Sequence, residues 1–411
     1  MRTLFVMKDS PYPPRSGSPL RNWLNVNAMA KLGPVAVFSV GDSEAGTESI
    51  PGVSLWQHHD GGRVRVSRLK KAWSYMRRLV QPREFPTSDD RRAPEITASL
   101  AQTVDAFDPQ IVVLANWQQA LPSALRRCRF RLVVDAHNIE STLISDILRH
   151  SSDRLTVLRS YVRRAYATSL ERRLFTSADQ IWLTSDDDAR ELTRLVPKTR
   201  PYRVIPNAVD VHYYDPVRAA SYSRVEGTNP QSHTVCFVGH YGYEPNARAA
   251  NVLVDEVLPR LRERFPDTRI LFIGRSPTPA MLEAATRDSA VQVTGAVADT
   301  RPYLSTASVT VVPLMLGGGT RLKVLEAFAC GLPVVTTPKG CEGLAVRDDE
   351  HLLIREDAAS LAQATCELWA NPARATRLAG NAYALVTREY SWEAIFGKVH
   401  EAIDALQATA G

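Results

Sequence analysis

The sequence predicts an α/β protein with two doubly wound domains, each built on a parallel β-sheet. Short apolar runs alternate with helical patterns along the whole chain, which is typical of parallel strands covered by helices on both faces. Ten such runs exceed what one compact sheet of this class holds, and 411 residues suit two domains. A composition of 44% hydrophobic and 23% charged residues supplies two cores and excludes intrinsic disorder.

The first domain is predicted over residues 1–205. Its strands are indicated by TLFVM (3–7), VAVFSV (35–40), IVVLA (111–115), LVVDA (132–136) and QIWLTS (180–185), and its helices by 21–32 and 154–176. The first apolar run is too short for a signal peptide, and no run reaches the roughly 18 residues that a spanning helix needs. We therefore expect a cytoplasmic protein and leave contact with the inner face of the membrane open.

The second domain is predicted over residues 206–390. Its strands are indicated by VCFVG (235–239), ILFIG (270–274), VQVTG (291–295), VTVVPL (309–314) and PVVTT (333–337), and its helices by 246–264 and 321–330. A polar stretch with glycine and proline at 221–234 marks a linker, so we place the hinge between about 206 and 232. A last helix over 392–406 carries a one-sided apolar stripe that another surface must cover.

The positive charge is concentrated in the first half of the chain. Residues 1–205 hold 31 Lys and Arg against 21 Asp and Glu, whereas residues 206–411 hold 19 against 23. Much of the excess lies in the segment 63–92, where Trp73 and Tyr75 are interspersed among the cations. Such a segment suits an anionic membrane surface, a phosphorylated substrate or an ordinary solvated helix face. No nucleic-acid motif accompanies it, so we expect no nucleic-acid partner.

Candidate metal ligands are few. Five cysteines, an odd number without Cys-x-x-Cys spacing, argue against a zinc site and a disulfide framework. The HHD run at 58–60 lacks a third ligand at a readable distance and is predicted to be a surface loop. The DDD run at 186–188 follows a strand, and Ser185 before it predicts a capped helix start. We expect no metal ion.

The segment PLMLGGGTRLKVLEAFACGLPVV (313–335) carries the strongest chemical signal. A strand leads into a triple-glycine loop, and a helix begins near Thr320. Exposed backbone N–H groups at a helix start, with Arg321 and Lys323 beside them, predict a diphosphate site. Glu326 lies one turn after Lys323 and suits a ribose diol. The alternative is a tight turn with a Lys–Glu surface pair. A helix start disfavours cations unless an anion binds there, which argues against this alternative.

Two segments of the first half follow predicted strands. In residues 13–23, Gly17 and Ser18 allow a backbone N–H to approach a phosphate or a sugar closely. In DAHNIE (135–140), His137 lies beyond a strand end, where ligands bind in sheets of this kind. The alternatives are a plain connecting loop for the first segment, and a helix cap with a turn histidine for the second.

The segment GGGTRLKVLEAFACGLPVVTT (317–337) resembles the nucleotide-sugar site of the family-4 retaining glycosyltransferases. Further similar segments are YRVIPNAVD, FVGHYGYEPNARAA, VTGAVADTRPYLSTASVTVVP and YSWE, with PPRSG and DAHNIE matching more loosely. The resemblance implies a GT-B architecture, in which two Rossmann-like domains face a cleft. It also implies an acceptor-binding first domain, a nucleotide-sugar-binding second domain, and a last helix, over 391–411, that crosses back onto the first domain.

The family's ribose-binding Glu corresponds to Glu326, and the first Glu of its Glu-x7-Glu motif would fall at Gly318. The Arg and Lys with which the family commonly binds phosphate are replaced by His240 and by Pro245 or Asn246. The resemblance therefore assigns the diphosphate to other cations, and Arg321 and Lys323 are the candidates on the glycine loop and its helix.

Other residues take their predicted roles from the same resemblance. His137 corresponds to a sugar-contacting histidine, Val297 lies in the loop at the base edge, and Arg275 flanks the base. Donor contacts are also expected along the glycine loop and the helix start, at Gly318, Gly319, Thr320 and Leu322.

The resemblance implies metal-independent transfer of a sugar, with retention, from a nucleoside-diphosphate sugar to a glycan, lipid-linked or small-molecule acceptor. UDP-glucose is the favoured donor, and no further cofactor is expected. A sugar-nucleotide epimerase of similar build and a non-catalytic nucleotide-sugar or glycan-binding protein remain as alternatives. The absence of Gly-x-Gly-x-x-Gly after any strand disfavours a dehydrogenase, and the absence of Gly-Lys-Ser/Thr disfavours a P-loop ATPase.

Overall fold

The computed structural model describes residues 1–8, 10–12, 14, 17–41, 50–60, 93–115, 130–150, 154–197, 200–225, 233–318 and 321–408. These divide into two units, the first formed by 1–206 with 395–411 and the second by 207–394. Each unit has one parallel β-sheet with helices in its connections, so the predicted pair of Rossmann-like α/β domains is confirmed. The basic segment at 63–92 and Cys128 lie outside the described residues.

The first unit contains a seven-stranded sheet in the order β3-β2-β1-β4-β5-β6-β7. Its strands are β1 (Thr3–Lys8), β2 (Val35–Gly41), β3 (Leu55–Asp60), β4 (Ile111–Ala115), β5 (Arg131–Asp135), β6 (Gln180–Leu183) and β7 (Tyr202–Val204). Its helices are α1 (Gly17–Ala30), α2 (Ala93–Phe107), α3 (Glu140–His150), α4 (Arg154–Ser177) and α5 (Asp186–Leu195). The chain order reverses between β1 and β4, which is the position where sheets of this class bind ligands.

Two predictions made for polar runs have different outcomes. The HHD run lies in the edge strand β3, not in a surface loop, and pairs with β2 in parallel. There the His58 imidazole Nδ1 lies 2.9 Å from the Ser39 hydroxyl, a contact across the sheet that replaces apolar packing. The DDD run does begin α5, and the Ser185 hydroxyl accepts the backbone N–H of Asp188 at 3.2 Å, which confirms the predicted cap.

The second unit contains a six-stranded sheet in the order β10-β9-β8-β11-β12-β13. Its strands are β8 (Thr234–Val238), β9 (Arg269–Ile273), β10 (Val291–Val293), β11 (Val309–Val312), β12 (Val334–Thr336) and β13 (Leu353–Ile354). Its α-helices are α6 (Asp215–Val225), α7 (Glu244–Val252), α8 (Leu258–Arg264), α9 (Pro279–Arg287), α10 (Arg301–Leu304), α11 (Leu322–Ala329), α12 (Ala358–Ala370) and α13 (Pro372–Tyr390). A 3-10 helix (His212–Tyr214) precedes α6, a π-helical turn (Leu253–Val257) joins α7 to α8, and a second 3-10 helix (Lys339–Cys341) follows β12.

The last helix, α14 (Trp392–Ala408), packs on the first unit for most of its length. Its apolar stripe is buried, at Ile395, Val399, Ala402, Ile403 and Leu406. The Gln180 side-chain amide donates to the carbonyl of Ala402 at 2.9 Å, and the His400 ring contacts the carbonyl of Ala28 at 2.9 Å. No helix within the described part of the chain is both long and apolar enough to cross a membrane.

Candidate functional site

In the second unit, the loops after β8 and β9 pass each other with backbone in contact. Gly274 follows β9 and has a φ of +140°, and a Cβ there would lie 1.9 Å from the carbonyl oxygen of Gly239 after β8. Only glycine fits such an approach. The carboxyl ends of these strands share one edge of the sheet with those of β10 and β11, so the loops that carry Arg275, Val297, Gly318 and the start of α11 share it as well.

The glycine loop before α11 is folded around the side chain of Arg321. This residue is 5% exposed, and its guanidinium donates to the carbonyls of Gly317 at 2.7 Å, Gly318 at 2.8 Å and Lys339 at 3.0 Å. It also lies 3.3 Å from a carboxylate oxygen of Glu342. Loop carbonyls outside helices and sheets need donors when buried, and Arg321 supplies them.

This geometry adds a role to the one expected for Arg321. Its guanidinium was expected to bind the diphosphate, and in the structure it donates to the loop's own carbonyl groups. Arg321 therefore shapes the loop and adds positive charge from beneath it. Gly318 belongs to that loop, Leu322 opens α11 and packs partly against the core, and Gly319 and Thr320 lie outside the described residues.

Lys323 lies in the first turn of α11 and is half-buried. Its Nζ donates to the Asn246 side-chain oxygen at 2.6 Å and lies 4.1 Å from the centre of the Phe237 ring. The Asn246 amide, only 8% exposed, is itself fixed by donating to the carbonyl of His240 at 3.0 Å. Because Asn246 follows β8 and Lys323 follows β11, the contact spans the position where the strand order reverses.

The environment of Lys323 disfavours its charge. Burial and the positive charge of Arg321 together lower the pKa of the Lys323 ammonium to about 7, against the opposing charge of Glu326. Its hydrogen-bond partner Asn246 is neutral and cannot compensate. A half-buried cation without a full counter-charge is a recognised mark of a functional site, because a bound anion would restore the charged form.

Glu326 lies one turn further along α11 and is perturbed in the opposite sense. Burial raises the pKa of its carboxyl group to about 7, against a hydrogen bond from the Tyr214 hydroxyl and the charge of Lys323. Tyr214 is itself buried in the first 3-10 helix of the unit. A desolvated carboxylate with a fixed tyrosine partner argues against the alternative of a Lys323–Glu326 surface pair.

The loop that follows β10 is fixed to the same 3-10 helix. Arg301 pairs with the Asp299 carboxylate at 2.8 Å and lies over the Tyr213 ring at 4.0 Å, and the Tyr213 hydroxyl donates to Asp299 at 3.0 Å. This cluster was not among the predicted sites, although the Asp-x-Arg spacing of Asp299 and Arg301 was a readable signal. Val297 lies in the loop and is partly buried against the core. Arg275 follows β9 and is exposed. Burial lowers the pKa of His240, and the charge of Arg275 lowers it as well.

In the first unit, a buried ion pair lies under the predicted histidine. Asp135, at the end of β5, accepts hydrogen bonds from Arg21 at 2.5 Å and from the Asn25 amide at 2.8 Å. The His137 Nε2 lies 3.4 Å from the same carboxylate. Burial alone would raise the pKa of Asp135, but Arg21 and His137 lower it to about 2, and burial lowers the pKa of His137.

This cluster joins the two segments that the sequence analysis singled out separately. Gly17 and Ser18 are the first residues of α1, and Arg21, one turn later, reaches Asp135 and the carbonyl of Ile205. The helix start and the histidine segment are therefore linked at the carboxyl edge of the sheet. Among the described residues, no group of three His, Cys, Asp or Glu side chains is arranged to hold a metal ion.

Two family sequence models match the chain. Residues 25–208 match a model described as glycosyl transferase 4-like domain, and residues 232–371 match one described as glycosyl transferases group 1. The first match falls within the first unit apart from its last two residues, and the second lies wholly within the second unit.

A curated glycosyltransferase is similar in sequence to part of this chain. The phosphatidyl-myo-inositol mannosyltransferase of Mycobacterium tuberculosis is 31% identical over 206 residues, which are 47% of this chain and 52% of that protein. The chain thus spans about half the length of the curated relatives it matches.

Two solved structures share the fold over nearly the whole length of both chains. Sucrose-phosphate synthase of Thermosynechococcus elongatus has a TM-score of 0.71 at 20% identity and covers 99% of this chain and 100% of its own. Anabaena HepE, solved in complex with UDP and glucose, has a TM-score of 0.62 at 15% identity and covers 97% and 99%. With the two family models and the glycine-loop motif, these likenesses show that the chain belongs to the family-4-type glycosyltransferases and has their GT-B fold.

Proposed function

We propose that the protein transfers a sugar from a nucleoside-diphosphate sugar to an acceptor, and that its second unit binds the donor. The observation that carries the proposal is the pair Lys323 and Glu326 on one face of α11. One is a half-buried cation with a lowered pKa and the other a half-buried carboxylate with a raised pKa. A diphosphate followed by a ribose presents an anion and a pair of hydroxyl donors, which match these two groups in order.

Each part of the donor has a proposed partner in this unit. Lys323 and the backbone N–H groups at the start of α11 bind the diphosphate, while Arg321 holds the loop and adds positive charge behind it. Glu326 accepts hydrogen bonds from the ribose hydroxyls. The loop at 294–301, fixed by the Asp299–Arg301 pair, borders the base, with Arg275 on the neighbouring loop.

The proposed chemistry is retention of anomeric configuration without a metal ion. Negative charge grows on the β-phosphate as the glycosidic bond breaks, and Lys323 with the helix start stabilises it electrostatically. Two-step retention through the protein would need a carboxylate beside the anomeric carbon. The resemblance to the family-4 retaining enzymes implies attack on the leaving-group face instead, and we propose this route, with the β-phosphate taking the acceptor's proton. From the sequence resemblance alone, His137 is assigned to the sugar.

The names of similar proteins support two donors. UDP-glucose remains our first choice, since HepE was solved with UDP and glucose. The curated relative is named a mannosyltransferase acting on phosphatidyl-myo-inositol, which supports mannose as the sugar and a lipid-linked acceptor. A glycan or small-molecule acceptor is the alternative to the lipid-linked one.

The test combines binding with product detection. Titration calorimetry with UDP-glucose, GDP-mannose and ADP-glucose identifies the donor, and incubation with phosphatidylinositol and a glycan panel identifies the acceptor. We expect full activity in excess EDTA and an α-linked product from an α-linked donor. Consumption of donor without any acceptor would support the epimerase. Binding without release of sugar under any condition would support the non-catalytic protein, and activity restored only by Mn²⁺ would refute the metal-free mechanism.

A further inference from the structure

A buried carboxylate of the first unit has no role in the proposed chemistry. Glu171, in the last third of α4, is 8% exposed and lies on the same helix face as the buried Leu174 and Phe175. Its Oε1 accepts the backbone N–H of Glu140 at 2.6 Å, and both of its oxygens lie 3.4 Å from the backbone nitrogen of Ser141. A charged group on an apolar helix face needs such partners, because an unpaired buried charge is strongly destabilising.

The two N–H groups belong to the first turn of α3. The first N–H groups of a helix have no partner within the helix and are usually capped by a Ser, Thr, Asp or Asn just before it. Here that place is taken by Ile139, whose side chain cannot accept a hydrogen bond. The side-chain oxygen of the preceding residue, Asn138, is buried and has no hydrogen-bond partner among the described residues. Glu171 therefore caps α3 from a different helix.

The capped helix begins three residues after His137. Asp135 lies two residues before the histidine and contacts its ring, and Glu171 fixes the backbone that follows it. The segment 135–141 is thus held at both ends by buried carboxylates, one at each side of the imidazole. Burial raises the pKa of Glu171 to about 7, and the hydrogen bonds from Glu140 and Ser141 oppose this rise because they favour the ionised carboxylate.

We propose that Glu171 is a positioning residue for His137, which it holds in place for sugar transfer by capping α3. This inference rests on the proposed function, because it gives His137 a contact with the sugar. A residue that only stabilised the fold would affect turnover whether or not His137 was present. The effect of Glu171 on turnover, in contrast, requires His137. A displacement of about 1 Å in such a group lowers turnover by up to 100-fold.

The test is a double-mutant cycle with conservative controls. Glu171→Ala should lower kcat by roughly 10- to 100-fold, with the donor dissociation constant changed by less than about twofold, because the donor binds the second unit. Glu171→Gln keeps an oxygen that can accept the Glu140 N–H and should stay within about threefold of wild type. The control variant Glu191→Ala, which removes a half-buried partner of the exposed Arg194, should leave kcat unchanged. In a His137→Ala background, Glu171→Ala should cause little further loss.

The outcomes separate this inference from the proposed function. Equal losses from Glu171→Ala with and without His137 would refute positioning and leave sugar transfer intact. Wild-type kcat in Glu171→Ala would refute it as well. Should Glu171→Ala fail to fold, Glu171→Asp, which withdraws the carboxylate by one methylene, replaces it in the same cycle. If the wild type transfers no sugar, the NMR signal of the His137 imidazole decides: a shift in Glu171→Ala but not in Glu171→Gln supports positioning, and no shift refutes it.

Discussion

The two candidate sites handle buried charge in opposite ways. In the first unit, Arg21 and Asp135 are fully buried and satisfy each other, and the pKa of Asp135 falls to about 2. Among the described residues of the second unit, the hydrogen-bond partner of Lys323 is the neutral Asn246 amide, and the pKa values of Lys323 and Glu326 both lie at about 7. A closed ion pair stabilises the scaffold, whereas a half-buried cation and a half-buried carboxylate with shifted pKa values favour a ligand that brings an anion to one and hydroxyl donors to the other.

The largest effect expected from this contrast is on stability. Arg21→Ala leaves the Asp135 carboxylate buried without its counter-ion, which should lower the free energy of unfolding by about 3–5 kcal/mol. The matched control is Arg2→Ala, since Arg2 pairs with Asp108 at the same 2.5 Å but with both side chains exposed. That variant should lose less than about 1 kcal/mol. Chemical denaturation at neutral pH compares the two, and equal losses would mean that burial does not set the strength of the pair.

The same pair has a defined pH dependence. The folded-state pKa of Asp135 is lowered from 3.8 to about 2, so its stabilising contribution is present above pH 3.8 and is lost as the pH falls toward 2. Stability measured between pH 5 and pH 2 should fall more steeply in wild type than in Arg21→Ala, where the carboxylate has already lost its partner.

The second expected effect is on turnover. Lys323→Ala should lower kcat by roughly 100- to 1,000-fold, because its ammonium stabilises charge that develops only in the transition state. Binding of UDP-glucose should weaken far less. The matched control is Lys31→Ala: Lys31 also lies 4.1 Å from an aromatic ring centre, that of Phe396, but on the exposed surface of the first unit. A loss confined to donor affinity, with kcat unchanged, would place Lys323 in ground-state binding only.

The third effect is on donor affinity. Glu326→Ala leaves the ribose hydroxyls without an acceptor and should weaken UDP binding by about 1–3 kcal/mol, with recognition of the acceptor unchanged. Glu283→Ala, an exposed glutamate of the same unit, is the control and should bind UDP as wild type does. Calorimetry measures both variants. Unchanged affinity in Glu326→Ala would mean that its raised pKa reflects packing against Tyr214 and not a ligand site.

The contrast between the sites also explains what the sequence could and could not predict. The fold followed from ten apolar runs, since parallel strands buried on both faces leave a continuous apolar signal. The edge strand β3 was missed because LWQHHD satisfies its polar side chains through hydrogen bonds across the sheet and to α2. Lys323 and Glu326 were found because they lie three residues apart on one helix.

The residues that were missed depend on contacts between distant parts of the chain. Arg21 and Asp135 are separated by 114 positions, and Glu171 reaches Glu140 across 31. Neither pairing has a local pattern. The sequence placed Arg321 correctly at the end of the glycine loop. The path of the backbone, which the sequence does not show, decides whether its guanidinium faces a ligand or the carbonyls of its own loop. For the role of Glu171, the sequence offered one signal, a carboxylate among the apolar positions of a helix.

The smallest expected effect is a change in bound protons, and it tests the electrostatic argument most directly. With a folded-state pKa of about 7, Lys323 is largely neutral at pH 8, and the diphosphate of UDP-glucose should draw a proton onto it. Glu326, also near 7, is largely protonated at pH 6 and should release a proton when the ribose hydroxyls favour its ionised form. Binding should therefore take up roughly half a proton or more at pH 8 and release a similar amount at pH 6.

Calorimetry in buffers of different ionisation enthalpy measures both signs, and UDP-glucose is used because its diphosphate has no proton of its own to exchange in this range. Lys323→Arg, which stays charged, should abolish the uptake at pH 8 and leave the release at pH 6, while Glu326→Gln should do the reverse. Proton exchange that keeps one sign across this range, or that persists in both variants, would show that these two groups do not change their charge when the donor binds.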